Sequence, residues 1–181
     1  MKIVGICGSP RKGNTEWMLS KLLESAEECG ADTELILLRK KDIRRCTGCL
    51  VCESGGKKRK GVCNIKDDMQ EVYSKLLKAD VLVLGTPVYF GMLSGLLKDF
   101  MDRTCAMWPL LESKPIAGVA VAEEGIEKAV DNLKTYASIC SMRWVGGVTA
   151  LAKNRGEASY DKDVERRLKL LGKKLAKLPE K

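Results

Sequence analysis

Cys46, Cys49 and Cys52 recur every third residue, and Cys63 follows after ten intervening positions. Compact Cys-x2-Cys-x2-Cys spacing lets successive thiolates wrap one cubane [4Fe–4S] cluster, with a fourth thiolate arriving from elsewhere in the chain. Cys63 is the natural fourth donor. Four cysteines also suit a tetrahedral zinc ion, and free or redox-active thiols are a third reading. Residues 53–62 are polar and contain glycine, so they can loop out and still return Cys63 to the others. Their four consecutive cations, Lys57, Lys58, Arg59 and Lys60, would lie beside a negatively charged centre and can steer an acidic electron-carrier protein. Cys7, Cys29, Cys105 and Cys140 have no close-spaced partner and read as small buried hydrophobes.

A second stretch, Gly8-Ser9-Pro10-Arg11-Lys12-Gly13-Asn14-Thr15, has the make-up of an anion cradle. Glycines such as Gly13 allow close backbone approach, and the free N–H groups and dipole of a following helix start favour negative charge. Ser9, Asn14 and Thr15 add side-chain donors, and Arg11 adds a planar cation suited to phosphate oxygens. The stretch nearly fits the triphosphate pattern G-x-x-x-x-G-K-[ST], with Asn14 where the lysine that reaches the β- and γ-phosphates should stand. Without that lysine a single terminal phosphate, as on a mononucleotide cofactor, fits better. The plainer reading is an ordinary helix capped by Asn14 or Thr15.

The 181 residues suffice for one domain with a full core. With no repeat or low-complexity linker, 1–181 reads as a single domain carrying a cysteine-rich insert at 43–66. No apolar run reaches membrane-spanning length and the N-terminus lacks a signal-peptide hydrophobic region, so a cytoplasmic protein without membrane contact is expected. The absence of histidine removes Ser-His-Asp and Cys-His catalysis and histidine-ligated zinc. Eight cysteines in a cytoplasmic chain argue for metal or redox use over a disulfide framework. A net charge of +8 could suit nucleic acid, but the cations cluster at 57–60 and from Arg166 onward, with no interleaved aromatics. No nucleic-acid partner is expected; the basic surface instead attracts anionic cofactors.

Alternating strands and helices must position these residues. Residues 2–7 are a short apolar run of the kind found in buried parallel strands, and Trp17, Met18, Leu22, Leu23 and Ala26 recur at helical spacing over 16–29. Further strands are expected at 33–38, 81–84, 115–121 and 145–151, with helices at 67–79, 94–105, 126–141 and 161–178. This alternation gives an α/β class: a flavodoxin-like, doubly wound five-stranded parallel sheet of order 2-1-3-4-5, with helices on both faces and the cysteine-rich insert after strand 2. Ligands of such sheets lie beyond the carboxyl ends of strands 1 and 3. Those ends are the 9–15 stretch and a second loop, Gly85-Thr86-Pro87-Val88-Tyr89-Phe90-Gly91, facing each other across a crevice.

Together the two loops resemble those of the NADPH-dependent FMN reductase superfamily of flavodoxin-like proteins. With Cys46-x2-Cys49-x2-Cys52 between them and Asp67-Asp68-Met69 after, the sequence resembles the iron–sulfur flavoprotein branch. The likeness is plainest over the first 105 residues and weaker onward to the fifth strand. It implies FMN, with phosphate in the 9–15 loop and the isoalloxazine ring against Pro87, Val88, Tyr89, Phe90 and Gly91. A flat apolar or aromatic wall suits such a ring, and Gly91 permits close approach. Of the adjacent Tyr89 and Phe90, at most one is expected in the core. The redox chemistry belongs to the flavin, so no catalytic side chain is required.

Two departures from the family pattern stand out. The gap before Cys63 is longer than the compact motif, and Ala122-Glu123-Glu124-Gly125 replaces the glycine-rich turn common after the fourth strand. Two carboxylates would then stand near an electron-rich flavin. Trp108, Pro109, Leu110 and Leu111 form an apolar patch suited to a homodimer or higher homo-oligomer, because flavodoxin-like reductases pair over their flavin sites. The expected function is an FMN-dependent oxidoreductase or electron-transfer flavoprotein, taking electrons from a ferredoxin-like carrier through a [4Fe–4S] cluster to FMN and a soluble acceptor. The alternative is an NAD(P)H-dependent FMN or quinone reductase whose cysteines bind zinc or nothing. A reading of another class is a non-enzymatic redox sensor that uses the cysteines as a switch.

Overall fold

Apolar runs of period two build the centre of the molecule. In β1 (Lys2–Cys7), Ile3 and Cys7 are buried under one layer of helices, and Val4 and Ile6 under the other. β3 (Val81–Tyr89) repeats this, with Val81 and Val83 on the first face and Leu82 and Leu84 on the second. Strands buried on both faces need helices on both faces, as in parallel sheets. β2 (Asp32–Leu37), β5 (Pro115–Ala122) and β6 (Arg143–Leu151) complete the parallel set, in the order β2-β1-β3-β5-β6.

The structure, a computed structural model, describes residues 1–54 and 63–179. α1 (Asn14–Glu27) and α5 (Lys162–Ala176) cover one face through Met18, Leu19, Leu22, Val164, Leu168 and Leu175. α2 (Met69–Lys78), α3 (Gly95–Arg103) and α4 (Glu127–Ile139) cover the other through Val72, Leu76, Leu97, Phe100 and Leu133. The α/β flavodoxin-like class and the order of the parallel strands are those expected. No helix among the described residues is long and apolar enough to cross a membrane. The basic run at 57–60 lies outside the described residues.

The sheet differs from expectation at one edge of the crevice: among the described residues it has six strands, not five. The sixth, β4 (Met92–Leu93), pairs antiparallel with β3, placing Tyr89 opposite Met92 and Val88 opposite Leu93. Residues 85–91, expected as a loop, are therefore mostly strand. β3 continues because β5 runs beside it, with Thr86 opposite Ala120 and Pro87 opposite Val121, so the extended backbone keeps its hydrogen-bond partners. Only Phe90 and Gly91 turn. α1 also departs from expectation: it starts at Asn14, with Gly13 in the cap position and no side-chain cap, so neither Asn14 nor Thr15 caps it.

Candidate functional site

The carboxyl ends of β1 and β3 lie side by side, the Gly8 N–H donating to the Gly85 carbonyl at 2.8 Å. A side chain at Gly8 would bring its Cβ within 2.5 Å of the Leu97 Cβ, so only glycine lets α3 pack this closely. The loop that follows is shaped from within. Ser9 is buried; its hydroxyl donates to the Arg11 carbonyl at 2.7 Å and accepts from the Arg11 amide at 3.4 Å. Arg11 and Lys12 are exposed above it, and Thr15 is buried at the first turn of α1. The opening amides of an α-helix have no partners within it, so this loop presents donors and cations together.

Asn14 has a second task that the sequence did not reveal. Its Nδ2 donates to the Asn154 carbonyl at 2.9 Å, and its Oδ1 accepts from the Ala158 amide at 3.3 Å. The carboxamide is thereby committed to the segment after β6. This segment is itself braced by Glu157, which accepts from the amides of Lys153 and Asn154. It carries the exposed Arg155 alongside Gly13, where a Cβ would stand 3.7 Å from the Arg155 Cγ. Arg155 is the cation that sequence reasoning missed. Its one signal was position, since every carboxyl end of a doubly wound sheet faces the same crevice.

The opposite wall is the β3–β4 hairpin. Phe90 and Gly91 both have positive φ, 51° and 73°, the conformation of a two-residue hairpin turn. Phe90 is fully exposed and Tyr89 is 43% exposed, so neither is core. This agrees with the expectation that at most one of the two would be core: the turn carries both beyond the sheet. Val88 packs inward against Ala120, Ala122 and Ile126, so its side chain belongs to the fold. Gly91 faces the 122–125 segment, with the Gly125 carbonyl 4.0 Å from where its Cβ would be. Of the two carboxylates there, Glu123 is paired with Lys153 at 2.8 Å, which removes half of the negative charge expected at this edge. Ser94 and Thr86 lock the hairpin: the Ser94 amide donates to the Thr86 hydroxyl at 3.0 Å.

The cysteine segment follows β2. Residues 42–50 have no regular secondary structure; Cys46 and Cys49 are exposed, Cys52 is half-buried against the core and Cys63 is buried. The Val51 amide and the Thr47 hydroxyl pull the Cys49 thiol below its ordinary pKa. That favours the thiolate, the form that binds metals. Among the described residues, no three Cys, Asp or Glu side chains are grouped as a metal ion would need. The chemistry of the donor set fits a thiolate-bound centre, while its geometry is unassembled. The remaining cysteines divide. Cys7 is buried, its thiol pushed up chiefly by desolvation, and Cys140 is also buried. Cys29 is exposed and Cys105 half-buried, contrary to expectation, because Cys29 follows the end of α1 and Cys105 borders a cavity.

The family model of the NADPH-dependent FMN reductases matches residues 1–156. An iron–sulfur flavoprotein of Methanocaldococcus jannaschii is 35% identical over 192 residues, covering 98% of this chain and 97% of the relative. This chain belongs to the NADPH-dependent FMN reductase family, on its iron–sulfur flavoprotein branch. An iron–sulfur flavoprotein of Methanosarcina thermophila is 33% identical over 153 residues, covering 81% of this chain and 78% of the relative. Among solved structures, a flavone reductase superposes with a TM-score of 0.77 at 21% identity; the match takes in 97% of this chain and 62% of the longer protein. A flavodoxin from the Archaea superposes with a TM-score of 0.65 at 14% identity, over 97% and 96% of the two chains.

As a member of this family, the flavoprotein is an FMN-dependent oxidoreductase. Its crevice fits that cofactor: donors at a helix start stand on one side and an exposed aromatic hairpin on the other. A second concavity, of about 820 Å³, opens between α3 and α4. Met92, Met101, Trp108, Tyr136 and Ile139 give it an apolar lining, and Glu53 of the cysteine segment also lines it. Met92 and Trp108 thus border this cavity.

Proposed function

We propose that this flavoprotein holds FMN with its phosphate among Ser9, Arg11, Gly13, Asn14 and Thr15 and its ring against the hairpin from Pro87 to Gly91. The observation that carries this is the 2.8 Å hydrogen bond from Gly8 to Gly85, which brings the phosphate loop and the hairpin to one switch point. Arg11 and the first amides of α1 neutralise the phosphate. Tyr89 and Phe90 exclude water from one side of the ring, and backbone N–H groups of the hairpin orient its polar edge. FMN supplies the hydride and single-electron chemistry, so the protein's part is to bind, orient and shield.

Cys46, Cys49, Cys52 and Cys63 would hold a [4Fe–4S] cluster, a reading supported by their spacing, the lowered Cys49 thiol and the names of the relatives. With such a centre the partner is an acidic, ferredoxin-like electron carrier, and the electrons leave to a soluble acceptor. The reading also includes a cytoplasmic setting, where thiols stay reduced, and a homodimer meeting through the Trp108–Leu111 patch, in which Leu110 is 43% exposed. A second reading, an NAD(P)H-dependent FMN or quinone reductase with zinc or no metal on the cysteines, is favoured by one observation: the thiols are not gathered among the described residues.

One sample distinguishes the two. Protein purified without oxygen is assayed for flavin, iron, zinc and acid-labile sulfide alongside its visible spectrum. Flavin with about four iron and four sulfide per chain supports the first reading. Flavin alone or with zinc, together with NAD(P)H oxidation, supports the second. Failure to take up added FMN would overturn both.

A further inference from the structure

Arg103 ends α3, and its side chain and that of Asp67 are both fully buried. A buried guanidinium is costly unless its donors are used. Nη1 donates to Oδ2 of Asp67 at 2.6 Å and to the Arg44 carbonyl at 2.7 Å. Nη2 donates to Oδ1 of Asp67 at 3.0 Å and to the Ile65 carbonyl at 3.4 Å. Asp67 also accepts from the amides of Arg44 at 2.9 Å and Met69 at 3.1 Å. One ion pair therefore grips the chain just before Cys46 and just after Cys63.

A second set of bonds runs beside the first. The Asp68 amide donates to the Asp42 carbonyl at 3.0 Å, and the Asp42 amide donates to the Asp68 carboxylate at 2.8 Å. The Tyr73 hydroxyl donates to the Arg103 carbonyl at 2.6 Å, and Tyr73 and Arg103 are both close enough to Cys63 to interact with its thiol. Arg103 Nε is buried without a hydrogen-bond partner among the described residues.

We propose that Arg103 is the positioning residue of the cysteine segment. Its guanidinium ties to α3 the two chain ends that carry Cys46 and Cys63, and so closes the loop before the four thiols are drawn to one metal centre. The proposal rests on the cysteine-ligand reading given above. Two arguments favour positioning over plain stability. A buried ion pair is commonly no more stabilising than apolar side chains of the same volume, so its use here calls for another reason. In addition, only a planar fork reaches both carbonyls and both carboxylate oxygens at once, which a lysine ammonium cannot do. Gathering distant thiols costs loop-closure entropy, and a loop already closed at its base has met that cost.

The test uses the FMN-bound chain with two variants, Arg103→Lys, which keeps the charge without the fork, and Asp67→Asn. In metal-free protein, alkylation of Cys63 should quicken about tenfold or more as the base of the segment opens locally, with FMN content unchanged. After anaerobic reconstitution with ferrous iron and sulfide, a chelator should strip iron from the variants at about 10- to 100-fold lower concentration than from the wild type. Wild-type Cys63 protection and iron retention in both variants would overturn the proposal. Loss of FMN together with Cys63 protection in both would also overturn it, making Arg103 a general core residue. If the wild type takes up no metal, the cysteine-ligand reading fails, and the alkylation ratio still decides whether Arg103 holds the segment.

Discussion

Ser94 donates a hydrogen bond from Oγ to the carbonyl oxygen of Gly8 at 2.6 Å, joining the start of α3 to the loop after β1. The same oxygen caps α3 by accepting from the Leu97 amide at 3.1 Å. Removing it deletes a helix cap and strips a buried carbonyl of a partner, so Ser94→Ala should cost about 2–3 kcal/mol. FMN affinity should fall as well, because the two walls of the crevice lose a tie. Urea unfolding and FMN titration of the same variant check both, and Ser94→Thr should recover most of the loss.

Gly8 is a stricter test of the same junction. Its missing Cβ would lie 2.5 Å from that of Leu97, too close for any accommodation without moving α3. Gly8→Ala should destabilise by about 1–3 kcal/mol through overpacking and weaken FMN binding. A variant of wild-type stability would mean that α3 shifts freely.

Phe90 offers opposite signs for stability and binding. A non-glycine residue at φ 51° pays for its left-handed backbone, and Phe90 gains no burial in return. Phe90→Gly should raise stability by about 1 kcal/mol and speed FMN release. Thermal unfolding without ligand and the FMN off-rate separate the two effects. Unchanged FMN kinetics would remove Phe90 from the ring wall.

The two proposed sites should respond independently. Arg11→Ala should weaken FMN retention by about tenfold, the worth of one charge-assisted contact, and leave iron content unchanged. Cys49→Ser should do the reverse. Flavin and iron assays on both variants decide this, and parallel loss in either would contradict separate sites.

Acid should loosen the base of the cysteine segment at a predictable pH. Burial opposes the Asp67 carboxylate, but the Arg103 guanidinium and the amides of Arg44 and Met69 outweigh it and hold its pKa below the ordinary carboxylate range. A carboxylate with depressed pKa contributes its full stability above the unfolded value of about 3.9 and loses it as the pH falls through the folded value. Asp67→Asn should therefore show a constant stability deficit from about pH 7 to pH 5 that shrinks below about pH 4. Urea midpoints across that range test it; a deficit unchanged at the acid end would assign the effect to shape instead of charge.

The sequence by itself determined the fold class, the order of the parallel strands and which strand ends carry the 9–15 and 85–91 stretches. Each rests on local information: period-two runs such as Ile3 to Cys7, helical spacing such as Met18 to Leu22, and glycines beside polar donors at a strand end. It missed whatever depends on which distant groups meet. Nothing near Asn14 indicates that its carboxamide will hold Asn154 and Ala158, nor that Arg155 will come to rest beside Gly13. The 85–91 stretch reads as a loop because proline and glycine punctuate it, yet pairing with β5 and β4 turns most of it into strand. Arg103 is the clearest case. In sequence it is one more cation at a helix end; in the fold it is fully buried and meets Arg44, Ile65 and Asp67 together. Spacing identifies the residues able to do chemistry, but desolvation and hydrogen-bond partners come from long-range packing, and these decide which of them are free to act.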